Sequence, residues 1–104
     1  MIIYGIKDLK TDKVVLPVFS DDVRSVNSTI INMIAKNPGN NLELYASDYI
    51  VIKIGELLDD GTLYQGKIET EGTVTDLLPL AYRLRESIMK KEEKEEVKED
   101  ELQE

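Results

Sequence analysis

The side chains best suited to chemistry here are carboxylates, lysines and tyrosines, because the chain holds neither Cys nor His. That removes a thiolate nucleophile, the commonest general base and the commonest transition-metal ligand. Asp59-Asp60-Gly61 suggests a calcium loop at first sight. The spacing fails, since no further ligands follow at the alternating positions and no Glu closes the loop, so a solvated turn is the ordinary reading. Asp21-Asp22 reads as helix first-turn charge rather than a metal site. Ser20, Ser25, Ser28, Ser47 and Ser87 have no His to activate them, which excludes Ser-His-Asp catalysis. Gly55 and Gly66 lack the Lys-Ser/Thr of a phosphate loop and read as a bulge or a close backbone approach. We therefore expect no catalytic residue, no metal, no cofactor and no enzyme.

Lysine beside tyrosine is the combination that could bind a nucleic acid, the ring stacking on a base and the cation meeting phosphate. The candidates are Lys7, Lys10 and Lys13 at one turn, and Tyr49 with Lys53 on one strand. The balance of charge opposes a wide phosphate-gripping face, because that affinity comes from Lys and Arg. Net charge is −8. Residues 90–104 hold four Lys against eight Asp or Glu, which accounts for −4 and leaves about −4 for the body. A charged turn and half-buried tyrosines are the plainer readings.

The elements that must position these residues follow from apolar spacing. Asp48 to Lys67 reads as a β-hairpin: Ile50, Ile52 and Ile54 alternate with Tyr49, Val51 and Lys53, Asp60-Gly61 makes the turn, and Thr62 to Ile68 returns. Met1 to Lys7 and Val14 to Phe19 form a second antiparallel pair, with Pro17 marking an edge. Ser20 is the expected N-cap of a helix whose stripe is Val23, Val26, Ile30, Met33 and Ile34. Asn37-Pro38-Gly39-Asn40 ends it. Asn41 to Ser47 reads as a loop with a short extended piece at residues 42–45, and Glu69 to Thr73 as a polar connection broken by Gly72. Thr75 caps a second helix with Leu77, Leu80, Ala81, Leu84 and Ile88 on one face.

The order β-β-α-β-β-α gives an α+β domain over residues 1–89, a four-stranded, mostly antiparallel sheet with two helices packed on one face. Residues 90–104 are an acidic extension, expected to fray or disorder. No apolar run is long enough to span a membrane, and no signal layout is seen, so a cytoplasmic protein is expected.

Ile3-Tyr4, Lys7-Asp8, Pro17-Val18-Phe19, Asp48-Tyr49, Gly55-Glu56 and Asp59-Asp60-Gly61 occur in an order that resembles the small non-structural protein of gokushovirus-type single-stranded DNA phages (Microviridae) over residues 1–80. The chain departs from the family pattern at two places: Val26 and Ser28 stand where the family's helix carries Ala-x-Arg, and Ala46-Ser47 where it has Pro-Glu before Asp-Tyr. The resemblance implies a phage accessory protein acting between genome replication and packaging in the host cytoplasm. Its implied partners are single-stranded DNA or the replication and packaging proteins. The alternative, drawn from charge, is an acidic protein–protein adaptor, a homo-oligomer working through a sheet edge or an apolar strip on the second helix.

Overall fold

The computed structural model describes residues 1–102. It is α+β, with an open antiparallel sheet and three helices. Strands β1 (Ile2–Asp8) and β2 (Lys13–Ser20) form the first hairpin. Pro17, which lacks a ladder donor, lies on β2 at the sheet's edge, and the register slips so that Ile6 faces Leu16 while Lys7 faces Val14. β1 sits inside, because its other side pairs with β3 (Tyr49–Leu57).

The hairpin after β3 differs from the sequence reading. Leu58 N–H donates to the Thr62 carbonyl at 2.8 Å. Gly61 takes a φ of 89° that a side chain would disfavour, so the turn is where Asp60-Gly61 put it. The returning arm pairs only through β4 (Leu63–Tyr64). Residues 65–68 leave the sheet, and β5 (Glu69–Thr73) takes the remaining length of β3, from Ile50 to Lys53. The segment expected to be a polar connection is thus a strand. It lies at an edge where four of its five residues are exposed. Its ladder comes from the β-branched partner strand rather than from its own apolar pattern.

Helix α1 (Val23–Lys36) buries Val26, Ile30, Ile34 and Ala35. Its N-cap is Asp22, not Ser20: the Asp22 carboxylate accepts the Ser25 N–H at 2.9 Å. That bond and the neighbouring N–H groups hold the carboxyl below its usual range. Ser20 instead closes the preceding turn through Asp22 backbone groups. The expected loop after α1 is helical. Asn40 accepts the Glu43 N–H at 3.0 Å and starts the one-turn α2 (Asn41–Leu44), followed by a 3₁₀ turn at Ala46–Asp48. Asn-x-x-Glu is a capping signature that outweighs the extended reading of residues 42–45.

Thr73, not Thr75, supplies the hydroxyl before the last helix, accepting the Asp76 N–H at 3.3 Å. A 3₁₀ turn at Thr75–Leu77 leads into α3 (Leu78–Leu102). Leu77 and Ala81 are buried, whereas Leu80 is 48 % exposed and does not join their stripe. Pro79 sits in the first turn of α3, where its missing N–H costs nothing. The acidic extension expected over residues 90–104 runs beyond the described residues at 103–104.

All three helices lie on one side of the sheet. Tyr4, Ile6 and Val51 meet Val26, Ile30, Ile34, Leu42, Ala46, Val74, Leu77 and Ala81 in one core. Directly opposed strand residues share a face, so Ile6 and Val51, or Tyr4 and Lys53, point to the helices. The other face, with Ile3, Ile50 and Ile52, carries none of the core's helical residues. No helix among the described residues is long and apolar enough to cross a membrane.

Candidate functional site

The five nucleic-acid candidates do not form one surface. Lys7 leaves β1 on the open face and pairs with Asp12 at 2.6 Å. Asp12 itself closes the β1–β2 turn at a φ of 59°, a conformation that Asp tolerates better than most residues. Lys10 lies across that turn and pairs with Asp48 at 3.2 Å. Its ammonium is 5.6 Å from the centre of the Tyr45 ring. The hydrogen bond to Asp48 raises the Lys10 pKa above its ordinary value. The turn is also fixed by backbone, since Leu9 N–H donates to the Asp48 carbonyl at 2.7 Å. Lys13 begins β2, exposed, opposite Asp8. Two of the three turn lysines are thus held by the chain's own carboxylates.

Tyr49 does share ground with Lys10. Both line a shallow cleft of about 230 Å³ together with Asp8, Asn41, Tyr45 and Asp48. Tyr49 however packs against the core on the helix side of the sheet, as Tyr4 does. Neither ring is a stacking platform on the open face. Lys53 is four residues further along β3, roughly 13 Å away at strand spacing. It lines a different cleft of about 190 Å³ with Glu56, Tyr64, Lys67 and Glu69. The structure therefore brings Lys10 and Tyr49 together, places Lys53 apart, and puts carboxylates in both clefts. Among the described residues no group of three or more Asp or Glu is placed to hold a metal ion.

The most tightly organised polar cluster joins residues that no sequence motif links. Arg85 on α3 donates through Nη1 to Glu43 Oε2 at 3.0 Å and through Nη2 to Glu43 Oε1 at 2.7 Å. The same guanidinium bonds the Ile34 carbonyl at 2.6 Å and the Ala35 carbonyl at 3.3 Å. Glu43 also accepts the Gly39 N–H at 3.0 Å. One planar side chain thus satisfies carbonyls at the end of α1, where the dipole favours a cation, and ties α1, α2 and α3 together. The side chains are 20 % and 15 % exposed. Arg85, then the Gly39 N–H, lowers the Glu43 pKa to about 2. Each guanidinium nitrogen and each carboxylate oxygen in the cluster has a partner, so it reads as a structural clasp rather than a reactive centre.

The second unforeseen feature is the open sheet face. On β1 its residues are Ile3, Gly5 and Lys7, and on β3 Ile50 and Ile52. Across β1, a Cβ on Gly5 would meet Val14 Cγ1 at 2.9 Å and Ile54 Cδ1 at 3.0 Å. The missing side chain therefore lets Val14 and Ile54 close over β1. Ile52 is sunk to 2 % exposure, while Ile3, Ile50 and Ile54 stay half-buried and Val14 is 44 % exposed. Thr70 and Thr73 of β5 complete the face opposite Ile52 and Ile50. No position assigned to it by register is a carboxylate; Asp12 reaches only its margin, through Lys7. The isoleucine alternation was visible in the sequence, but Val51 on the opposite phase is equally apolar, so alternation alone did not say which phase the helices cover. No family model matches the chain, and no curated protein or solved structure is significantly similar to it.

Proposed function

We propose that this chain is a non-catalytic protein-interaction module whose contacts are made by a largely apolar, carboxylate-free sheet face rather than by a phosphate-binding surface. The observation that carries this reading is the open isoleucine face, free of carboxylates in a chain of net charge −8. A contiguous apolar face of half-buried isoleucines bordered by the exposed Val14 is costly to leave in water on a domain this small and is usually spent on a contact. The pairing of Lys7 with Asp12 and Lys10 with Asp48 supports the same reading. A phosphate would have to displace a carboxylate already in place. By its resemblance to the gokushovirus family, the module would act in the infected cell's cytoplasm, on phage replication or packaging proteins.

A second reading is direct contact with single-stranded DNA. The observation in its favour is the cleft in which Lys53, Lys67 and Tyr64 meet. Anisotropy of labelled single-stranded oligonucleotides at low salt separates the two. The module reading expects a flat titration, together with recovery of phage replication or capsid proteins in a nuclease-treated pull-down from infected cells. Binding that weakens steeply with salt and is lost in Lys53→Ala/Lys67→Ala would overturn it.

A further inference from the structure

We propose that the open sheet face docks a second copy of this chain, face to face, giving a two-fold dimer with four layers in the order helices, sheet, sheet, helices. This deepens the interaction-module reading and rests on it. The sheet edges and helices are less suited to self-association. The β2 edge carries Pro17 and a register slip between Ile6 and Lys7, both of which disrupt pairing with another strand. The opposite edge consists of the two-residue β4 and of β5, which bears Glu69 and Glu71. Short and charged edges resist augmentation. The buried apolar residues at the start of the last helix, Leu77 just before α3 and Ala81 within it, are already used against the core, and those α3 leaves exposed, Leu80, Tyr82 and Met89, stand among the charged Arg83, Glu86 and Lys90.

The face fits a second copy in charge and in size. An acidic chain repels itself over most of its surface, but two copies of a face without carboxylates meet without that repulsion. In a two-fold contact each patch meets its own likeness, so an apolar patch whose cation Lys7 is already paired with Asp12 is self-complementary. β-Branched Ile and Val suit the interdigitated packing of sheets stacked about 10 Å apart. β3 has nine residues. At about 3.3 Å per residue and about 4.8 Å between four rows of strand, the face measures roughly 30 by 19 Å, on the order of 500 Å² in plane. Two such faces bury about 1,000 Å² or more once side-chain relief is counted, which reaches the lower range of specific interfaces. The helix side offers no equivalent, because its exposed apolar residues, Leu44, Leu80, Tyr82 and Met89, are set among charged neighbours rather than on a carboxylate-free face.

Multi-angle light scattering on the full chain at tens of micromolar is the test. Wild type is expected at about twice its 11.8 kDa. Val14→Glu, at an exposed position of the face, is expected to keep its circular dichroism spectrum and to weaken the dimer at least tenfold. Ile50→Glu should act in the same way at the face's centre, and Val14→Glu decides the matter should Ile50→Glu fail to fold. Leu80→Glu, exposed on α3, should leave the dimer intact. A monomeric wild type overturns the proposal. So does a folded Val14→Glu that dimerises as wild type does, or a Leu80→Glu that falls apart. A monomer that also ignores DNA leaves the interaction-module reading standing with a different partner, so the two can fail separately.

Discussion

On one side of the sheet Tyr4, Ile6 and Val51 lie beneath Val26, Ile30 and Ile34 of α1; on the other, Ile3, Ile50 and Ile54 lie half-open around Ile52. Both sides are apolar, and the bare one holds more isoleucine on β3 than the covered one. Apolarity therefore does not select the covered face. The phase of the first hairpin does. Leu16 and Val18 pack on the core side, Ile6 pairs with Leu16 on β2 and with Val51 on β3, and the choice passes across the sheet by register. The covered side owes its stability to burial within one chain. The bare side has unused burial that a second chain can supply.

The comparison breaks most readily at the core. Ile30→Ala on the covered side should cost about 3–4 kcal/mol, because a fully buried isoleucine leaves a cavity that rigid neighbours cannot fill. Ile54→Ala on the bare side should cost no more than about 1 kcal/mol in the monomer. Urea denaturation at low protein concentration reads both; equal costs would mean that the two faces are equally packed.

Glu43→Gln probes the clasp that holds the covering helices together. Removing one partner of a hydrogen-bonded charge pair at low exposure should cost on the order of 2 kcal/mol at neutral pH. The Glu43 pKa is lowered from 4.5 to about 2 in the folded chain. Its contribution is complete above the unfolded value near 4.5 and disappears as pH falls through about 2. Wild type should therefore lose stability more steeply than Glu43→Gln between those values, and the two should converge at the acid end. Parallel pH profiles would show that the clasp contributes nothing through charge.

Gly55→Ala sharpens the comparison on the bare side, where a Cβ would run into the Tyr64 carbonyl oxygen. Backbone cannot step aside as a side chain can, so a loss of about 1–2 kcal/mol is expected. Hydrogen exchange should show the β4 amides opening first. The smallest effect belongs to Lys10→Ala: its ion pair with Asp48 is exposed, and the denaturation midpoint should not move measurably.

The regular parts of the fold were legible because they are written in local spacing. The stripe Val26, Ile30, Ile34 marks α1, Asp60-Gly61 marks the hairpin turn, and Pro17 marks an edge. β5 was not legible, since Glu-Thr-Glu-Gly-Thr has no alternation and becomes a strand only because β3 offers it a ladder. The clasp was not legible either: Arg85 and Glu43 are separated by 42 positions, and nothing in either neighbourhood distinguishes them from the other charged residues. Of the five candidate binding residues, the sequence could name the types but not their commitments. Asp12 and Asp48 take up two of the lysines, and the core takes up the Tyr49 ring.

By itself the sequence determined the α+β class, the acidic character and the lack of His and Cys, because composition and short-range periodicity are local properties. Tertiary structure alone decided which face of an evenly apolar sheet would be covered, which ions would be paired and which isoleucines would be left half-buried. Those outcomes depend on strand register and on contacts between residues far apart in sequence, and no local pattern encodes them.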